Sequence, residues 1–329
     1  MEPHLLKYIV DKKGIVIDHD ARTAITTNLW PPPPRAGIRD NELKLDSYFR
    51  YYAEQCQGFL SHHGRFITVR THQDIVDVTR LKESNGACLN VTAEMISRTT
   101  DLTARLFLMM SVGGLPHGID SGTSLRWNQG TIRQFVQQHF DVPPILSHEG
   151  VKLPKLFNAH SLVRMAGIKI EWTTNLADHL RMIDDDQKVS IFCHPSFLML
   201  HKTSEIFPEG FVEETLQTLK LLFPSDKSLE KWVQSLPPTV DKKIASLGTP
   251  GAEMRHIEKF RFWRDRLMIV KQVFDEAEPS SLSQWWYNRS RRVQWYTWWL
   301  GVLVLLLGSI FGLIQCTLNT VQVYKLFNP

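Results

Sequence analysis

Cysteine is scarce and scattered. The four thiols, Cys56, Cys88, Cys193 and Cys316, form no CxxC pair, which excludes a disulfide-knit miniature scaffold and a zinc ribbon and suits free thiols in a reducing cytosol. Catalytic signatures are missing too: no glycine-rich loop ends in GK[ST], no GxSxG elbow occurs, and no HxxxH pair is present. A formal charge of +4 on 329 residues is too small to demand a polyanionic partner. The first residues, with Glu2, Lys7, Asp11, Lys12 and Lys13, hold no apolar core of a secretory signal. The most informative absence is of charge: Val293 to Tyr324 contains no charged residue.

That run defines an anchor. Its central part, Trp298 to Leu318, spans about 31 Å as a helix, roughly the hydrocarbon thickness of a bilayer. Five of the ten tryptophans, Trp285, Trp286, Trp295, Trp298 and Trp299, crowd its amino-terminal edge, where amphipathic rings prefer the headgroup layer. Arg289, Arg291 and Arg292 precede the span and only Lys325 follows it, so the positive-inside rule places the bulk of the chain in the cytosol. The expected protein is tail-anchored and single-pass, with the sequons at Asn90 and Asn288 unused and the short, weakly charged tail pointing to the endoplasmic reticulum. Gly308 and Gly312 form a GxxxG unit that lets two helices approach, so membrane lipid and a second copy of the chain are the first partners expected.

The remainder reads as mainly α with minor β, an α+β domain. Residues 1–112 form a mixed region, with a short strand at Ile15–Ile17, a proline tract Pro31–Pro34 serving as a stiff connector, an aromatic helix over 40–60, a strand over Arg65–Arg70 and helices over 71–81 and 92–112. Residues 113–250 form a second region. It opens on the glycine-rich loop 113–122, where His117, Asp120 and Ser121 are candidates for a hydrolytic set. A helix over 131–140 buries Ile132, Phe135, Val136 and Phe140, and Asn158 caps a second one ending at Gly167. Ile168–Trp172 then alternates as a strand, with Lys188–Cys193 as its expected antiparallel partner. Helix, helix, strand, strand is a winged-helix layout. Asp184, Asp185 and Asp186 at the strand tip would repel phosphates, however, so no nucleic-acid partner is expected. Further helices run from Pro208 and Ser225, residues 251–279 form an amphipathic juxtamembrane helix, 280–297 an interfacial Trp/Arg segment, 298–318 the span and 319–329 the tail.

The stretch Trp172-Thr173-Thr174-Asn175-Leu176-Ala177-Asp178-His179-Leu180 resembles one in uncharacterised fungal proteins that also end in a Trp-rich membrane span, and the likeness extends through Phe207-Pro208-Glu209 to the anchor. That group carries no assigned activity, so the resemblance implies a lineage and no catalytic residue. In the residues themselves, Asn175 can cap a turn and Asp178 can fix the ring of His179. Asp178, His179 and His194 are also of the types that do acid–base chemistry. No metal or cofactor is expected.

Two functions follow. The first is a tail-anchored scaffold or adaptor that presents a cytosolic helical domain to protein partners. The alternative is a membrane-associated enzyme acting on an apolar substrate, drawing on His117, Asp120, Ser121, Asp178, His179 or His194 and serving as an accessory of a fungal pathway.

Overall fold

A computed structural model of the protein describes residues 17–30, 45–63, 69–83, 93–113, 122–127, 130–146, 150–277 and 292–327. Contacts divide the chain into two units, 1–163 with 168–276, and 164–167 with 277–329. The strand expected at Ile15 and Val16, the proline tract, the body of the strand at 65–68 and both sequons lie outside the described residues.

The first unit begins with four helices, α1 (His19–Leu29), α2 (Asp46–His63), α3 (His72–Glu83) and α4 (Ala93–Leu108). Asp18 starts α1 by accepting a hydrogen bond from the Ala21 amide, and Ala21, Ala24, Ile25 and Leu29 then recur on one buried face. In α2 the aromatic density is resolved by burial on several sides, with Tyr48, Phe49, Tyr51, Tyr52, Cys56 and Phe59 all enclosed. The phenols stay satisfied: Tyr48 donates to the Leu106 carbonyl and Tyr51 to that of Arg105. Thr71 caps α3, its hydroxyl accepting from the Asp74 amide while the Asp74 carboxylate accepts from the amides of Arg70 and Thr71.

Helix α4 ends at Leu108, short of the boundary at residue 112 that its sequence predicts. Met109 turns into the left-handed region at φ 48°, and the buried Arg105 side chain folds over to donate to the carbonyls of Val112 and Gly113. These carbonyls are thereby satisfied without a helical partner, so the chain runs on extended to pair Val112 with Leu125.

Helix α5 (Ile132–Phe140) carries a capping box, Thr131 and Gln134 each bonding the other's amide. Ile132, Val136 and Phe140 are buried, whereas Phe135 stays half-buried, stacked on Trp127. After α6 (Ala159–Arg164) comes a three-stranded sheet, β1 (Lys169–Thr173), β2 (Arg181–Ile183) and β3 (Lys188–Phe192), in the order β1-β3-β2. This corrects the winged-helix layout. β1 and β3 pair in parallel, Ile170 opposite Val189 and Trp172 opposite Ile191. The antiparallel hairpin is made by β2 and β3 instead, Met182 opposite Val189. The acidic tip turns that hairpin, with Asp184, Asp185 and Asp186 all at φ between 52° and 60°.

Helices α7 (Pro195–Leu200), α8 (Phe211–Leu222) and α9 (Lys227–Gln234) follow β3, and α10 (Arg264–Glu276) closes the domain. The single long helix expected over 251–279 is broken, for a reason at Glu214. Its carboxylate, reaching out of α8, accepts from the amides of Arg261 and Trp263, holding that stretch as an irregular turn, so the α-helix begins only at Arg264. Phe260, Trp263, Leu267 and Val270 are enclosed within the domain, and Phe274 meets the ring of Phe157. The alternating three- and four-residue spacing of these residues therefore reflects core packing.

The second unit contains α11 (Arg292–Phe327), 36 residues long, about 54 Å. Within it Tyr296–Tyr324 is long and apolar enough to cross a membrane, and its most apolar window buries nothing. Leu305 is 72% exposed and Leu313 69% exposed.

Candidate functional site

The turn between β1 and β2 holds two of the candidate polar residues, and both are spent on architecture. Asn175 accepts from the Ala177 amide, capping the turn as its sequence suggests, and from the Ser111 amide at 3.0 Å. Its amide nitrogen donates to the Thr123 carbonyl and to Asp178 Oδ2 at 2.8 Å. Asp178, whose side chain is 4% exposed, accepts further bonds from the Thr123 amide and hydroxyl and pairs with Arg181 at 2.8 Å. Arg181 also donates to the Thr123 hydroxyl. The carboxylate thus fastens the chain emerging from the glycine-rich loop. Gly122 must lie there because a Cβ would come within 2.1 Å of Asp178 Oδ2.

Asp178 does not orient His179, contrary to the sequence expectation. The His179 ring points into the core, edge-on to Trp263 at 4.8 Å. Its Nδ1 accepts from the Phe192 amide, which leaves the proton on Nε2 to be donated to Thr218 Oγ1 at 2.7 Å. The Thr218 hydroxyl passes the chain on to the Thr215 carbonyl, and the Trp263 indole donates to the Thr215 hydroxyl. Burial, helped by the nearby Arg266 guanidinium, pushes the imidazole down to about 3. It is a neutral linker between β3 and α8.

His194 lies elsewhere again. It is buried at the start of α7, between the rings of Tyr51 and Phe192, and neither ring nitrogen meets a hydrogen-bonding group among the described residues. Burial holds it down to about 3. A buried carboxylate beside this helix, Asp241, accepts from the Ser196 and Lys243 amides, and burial raises its pKa against the pull of those bonds. His201, at the other end of α7, accepts from the Trp30 indole at 2.8 Å and is likewise held at about 3 by burial.

Asp178 and His179 therefore bond to separate partners, His194 meets none among the described residues, and the three do not converge as an acid–base set. His117, Asp120 and Ser121 lie outside the described residues, as do Trp285, Trp286, Arg289 and Arg291. Arg292 and Trp295 fall within the backbone of α11, Trp298 and Trp299 pack edge to face at 4.8 Å, and Gly308 and Gly312 leave open space where a Cβ would stand. No group of three or more His, Cys, Asp or Glu placed to hold a metal occurs among the described residues.

A concave site does exist where sequence reading found none. A cleft of about 420 Å³ opens between the lead into α6, the turn from α8 to α9, and the segment around Thr249 and Arg255. Phe157, Leu221 and Leu229, all buried, line it, with Lys155, Thr249 and Arg255 among its polar residues. Three stretches distant in sequence build it, so no local spacing could announce it. By contrast, Arg181 was legible in principle, since an acid and a base three residues apart commonly pair.

Compared with known proteins, the chain matches no family model, no curated protein and no solved structure.

Proposed function

We propose that the protein is a membrane-anchored scaffold or adaptor, in which α11 crosses an intracellular membrane and the helical domain works from the cytosolic face by binding other proteins. One observation carries the reading: Tyr296–Tyr324 of α11 is long and apolar enough to cross a membrane, and its most apolar window is buried by nothing among the described residues. A helix of that kind is stable only when hydrocarbon or another apolar surface replaces water. The arginines before the span and the single Lys325 after it support the cytosolic orientation. The use of Asp178 and His179 as internal fasteners, with His194 buried apart from them, favours presentation of a surface over chemistry by that set. Pairing of two copies through Gly308 and Gly312 belongs to the same reading, because the helix face they form is open to close approach.

The test is proximity labelling from the full chain and from a chain that keeps 278–329 but replaces the domain with an inert fold. Recurrent protein neighbours seen only with the native domain support the adaptor. Identical neighbours in both would remove it.

A further inference from the structure

The cleft beside α6 and α9 has the chemistry of a binding site. Its floor is apolar and fixed: Phe157, Leu221 and Leu229 belong to the packed core and are at most 4% exposed. Its walls are fastened to one another. Leu153 donates to the Arg255 carbonyl at 2.8 Å and Ile257 to that of Val151 at 2.9 Å, and the Ser225 hydroxyl donates to the Ala245 carbonyl. Pro154, Pro224 and Pro250 stand around it, so three of its backbone positions have fixed φ and no N–H. Such a cavity is preformed, and its volume falls in the range of small-molecule sites.

Its uncommitted polar groups are donors. Lys155 is exposed and has no acidic partner among the described residues. Arg255 spends one nitrogen on the Leu153 carbonyl and keeps its other N–H groups. Thr249 adds an exposed hydroxyl. One carboxylate, Asp226, also stands on the rim and is not without a partner, and Asn158 caps α6 with its oxygen while its amide nitrogen donates to the Lys155 carbonyl. Two cations and a hydroxyl above an apolar floor select for a ligand that is apolar at one end and negative at the other.

We propose that this cleft binds a small apolar carboxylate, with its hydrocarbon or aromatic body on Phe157, Leu221 and Leu229 and its carboxylate toward Lys155 and Arg255. The same chemistry is offered by water-borne aromatic acids and by fatty acids drawn from a bilayer.

The test is calorimetric titration of the full chain in phosphatidylcholine nanodiscs with 2-naphthoate and with its neutral counterpart 2-naphthamide. Saturable one-to-one binding of the acid, at least tenfold weaker for the amide and at least tenfold weaker in Lys155→Glu, is expected. Lys155 is exposed, so this variant folds as the parent does. Leu229→Trp, checked for an unchanged melt, should abolish binding by filling the floor. Doping the discs with oleate separates the sources: displacement of naphthoate marks a bilayer-borne ligand, and undiminished binding a water-borne one, either supporting the site. No saturable binding of the acid, equal affinity for the amide, or an unaffected Lys155→Glu variant overturns it.

Discussion

A buried histidine can be an asset or a burden, and His179 and His194 illustrate the two cases. His179 has a hydrogen-bond partner on each ring nitrogen. Replacing it with leucine strands the Phe192 amide, so His179→Leu should cost about 2 kcal/mol at pH 7. His194 has no such partner among the described residues. His194→Leu removes a polar ring from an apolar niche and should stabilise the fold by about 1 kcal/mol at pH 7. Acid sharpens the contrast. Both imidazoles are held at about 3 in the fold, below their ordinary value near 6.5. The unfolded chain therefore binds the extra protons as pH falls below about 6.5, and stability is lost from there down to about 3. Buried carboxyls act in the opposite sense: Asp101, Glu214 and Asp241 are raised by burial, so protonation favours the fold above their ordinary range. Comparing His194→Leu with the parent cancels these shared contributions. Its advantage should widen by about 1.4 kcal/mol per pH unit below pH 5.5. Chemical denaturation of both proteins at pH 7 and pH 5 checks this, and an advantage that does not change with pH refutes it.

At Asp178 the cost runs through several groups at once. Asp178→Ala leaves Asn175, Thr123 and Arg181 without their shared acceptor and should cost about 3 kcal/mol. Gly122→Ala drives a methyl into the same carboxylate and should cost about 2 kcal/mol alone. With the carboxylate gone that clash disappears, so the double variant should be less destabilised than the sum of the two by about 1 kcal/mol or more. Additive losses in a denaturation cycle would show that Gly122 is required for some other reason.

Among the elements, the legible ones were those whose signals are local. Thr131 with Gln134 opens α5, Asn158 caps α6, Thr71 opens α3, and β1 and β3 follow β-branched, alternating residues. What misled the reading were long-range bonds. β2 is three residues, too short for any period to register, yet it displaces β1 as the hairpin partner of β3. Helix α10 was overextended because Glu214, some fifty positions earlier, takes the amides that would have continued it, and α4 because the Leu176 amide takes the Met109 carbonyl and the Asn175 side chain the Ser111 amide. The cleft escaped for the same reason, being assembled from separate segments. The hairpin tip allows a local test. Three successive aspartates in the left-handed region are tolerated better than most residues but still strained. Asp185→Gly should stabilise the domain by about 0.5 kcal/mol, since the relieved strain exceeds the added entropy of the unfolded glycine. Asp185→Pro demands a φ near −65° and should destabilise by about 3 kcal/mol. Thermal melts that rank the two in the reverse order would contradict this geometry.

For the molecule as a whole, the question is what surrounds α11. Its exposed leucines and isoleucines would be costly to hold in water at about 25 cal/mol per Å². The hydrocarbon interior of a membrane relieves that cost. If α11 sits there, its middle must reject charge: an arginine at the centre of a span costs roughly 2.5–3.5 kcal/mol, while a leucine contributes about −0.5 kcal/mol. Leu306→Arg with Ile310→Arg, two positions one turn apart, should therefore shift insertion by roughly 6–8 kcal/mol. In microsomes the parent should remain in the pellet through alkaline carbonate extraction, and the double variant should be released. Lysine in place of Tyr324, at the end of the helix, should be retained, because a long cationic side chain there can reach the headgroups. Release of the parent, or retention of the double variant, would mean that the helix is covered by protein, and the scaffold would then have to be sought in an assembly away from lipid.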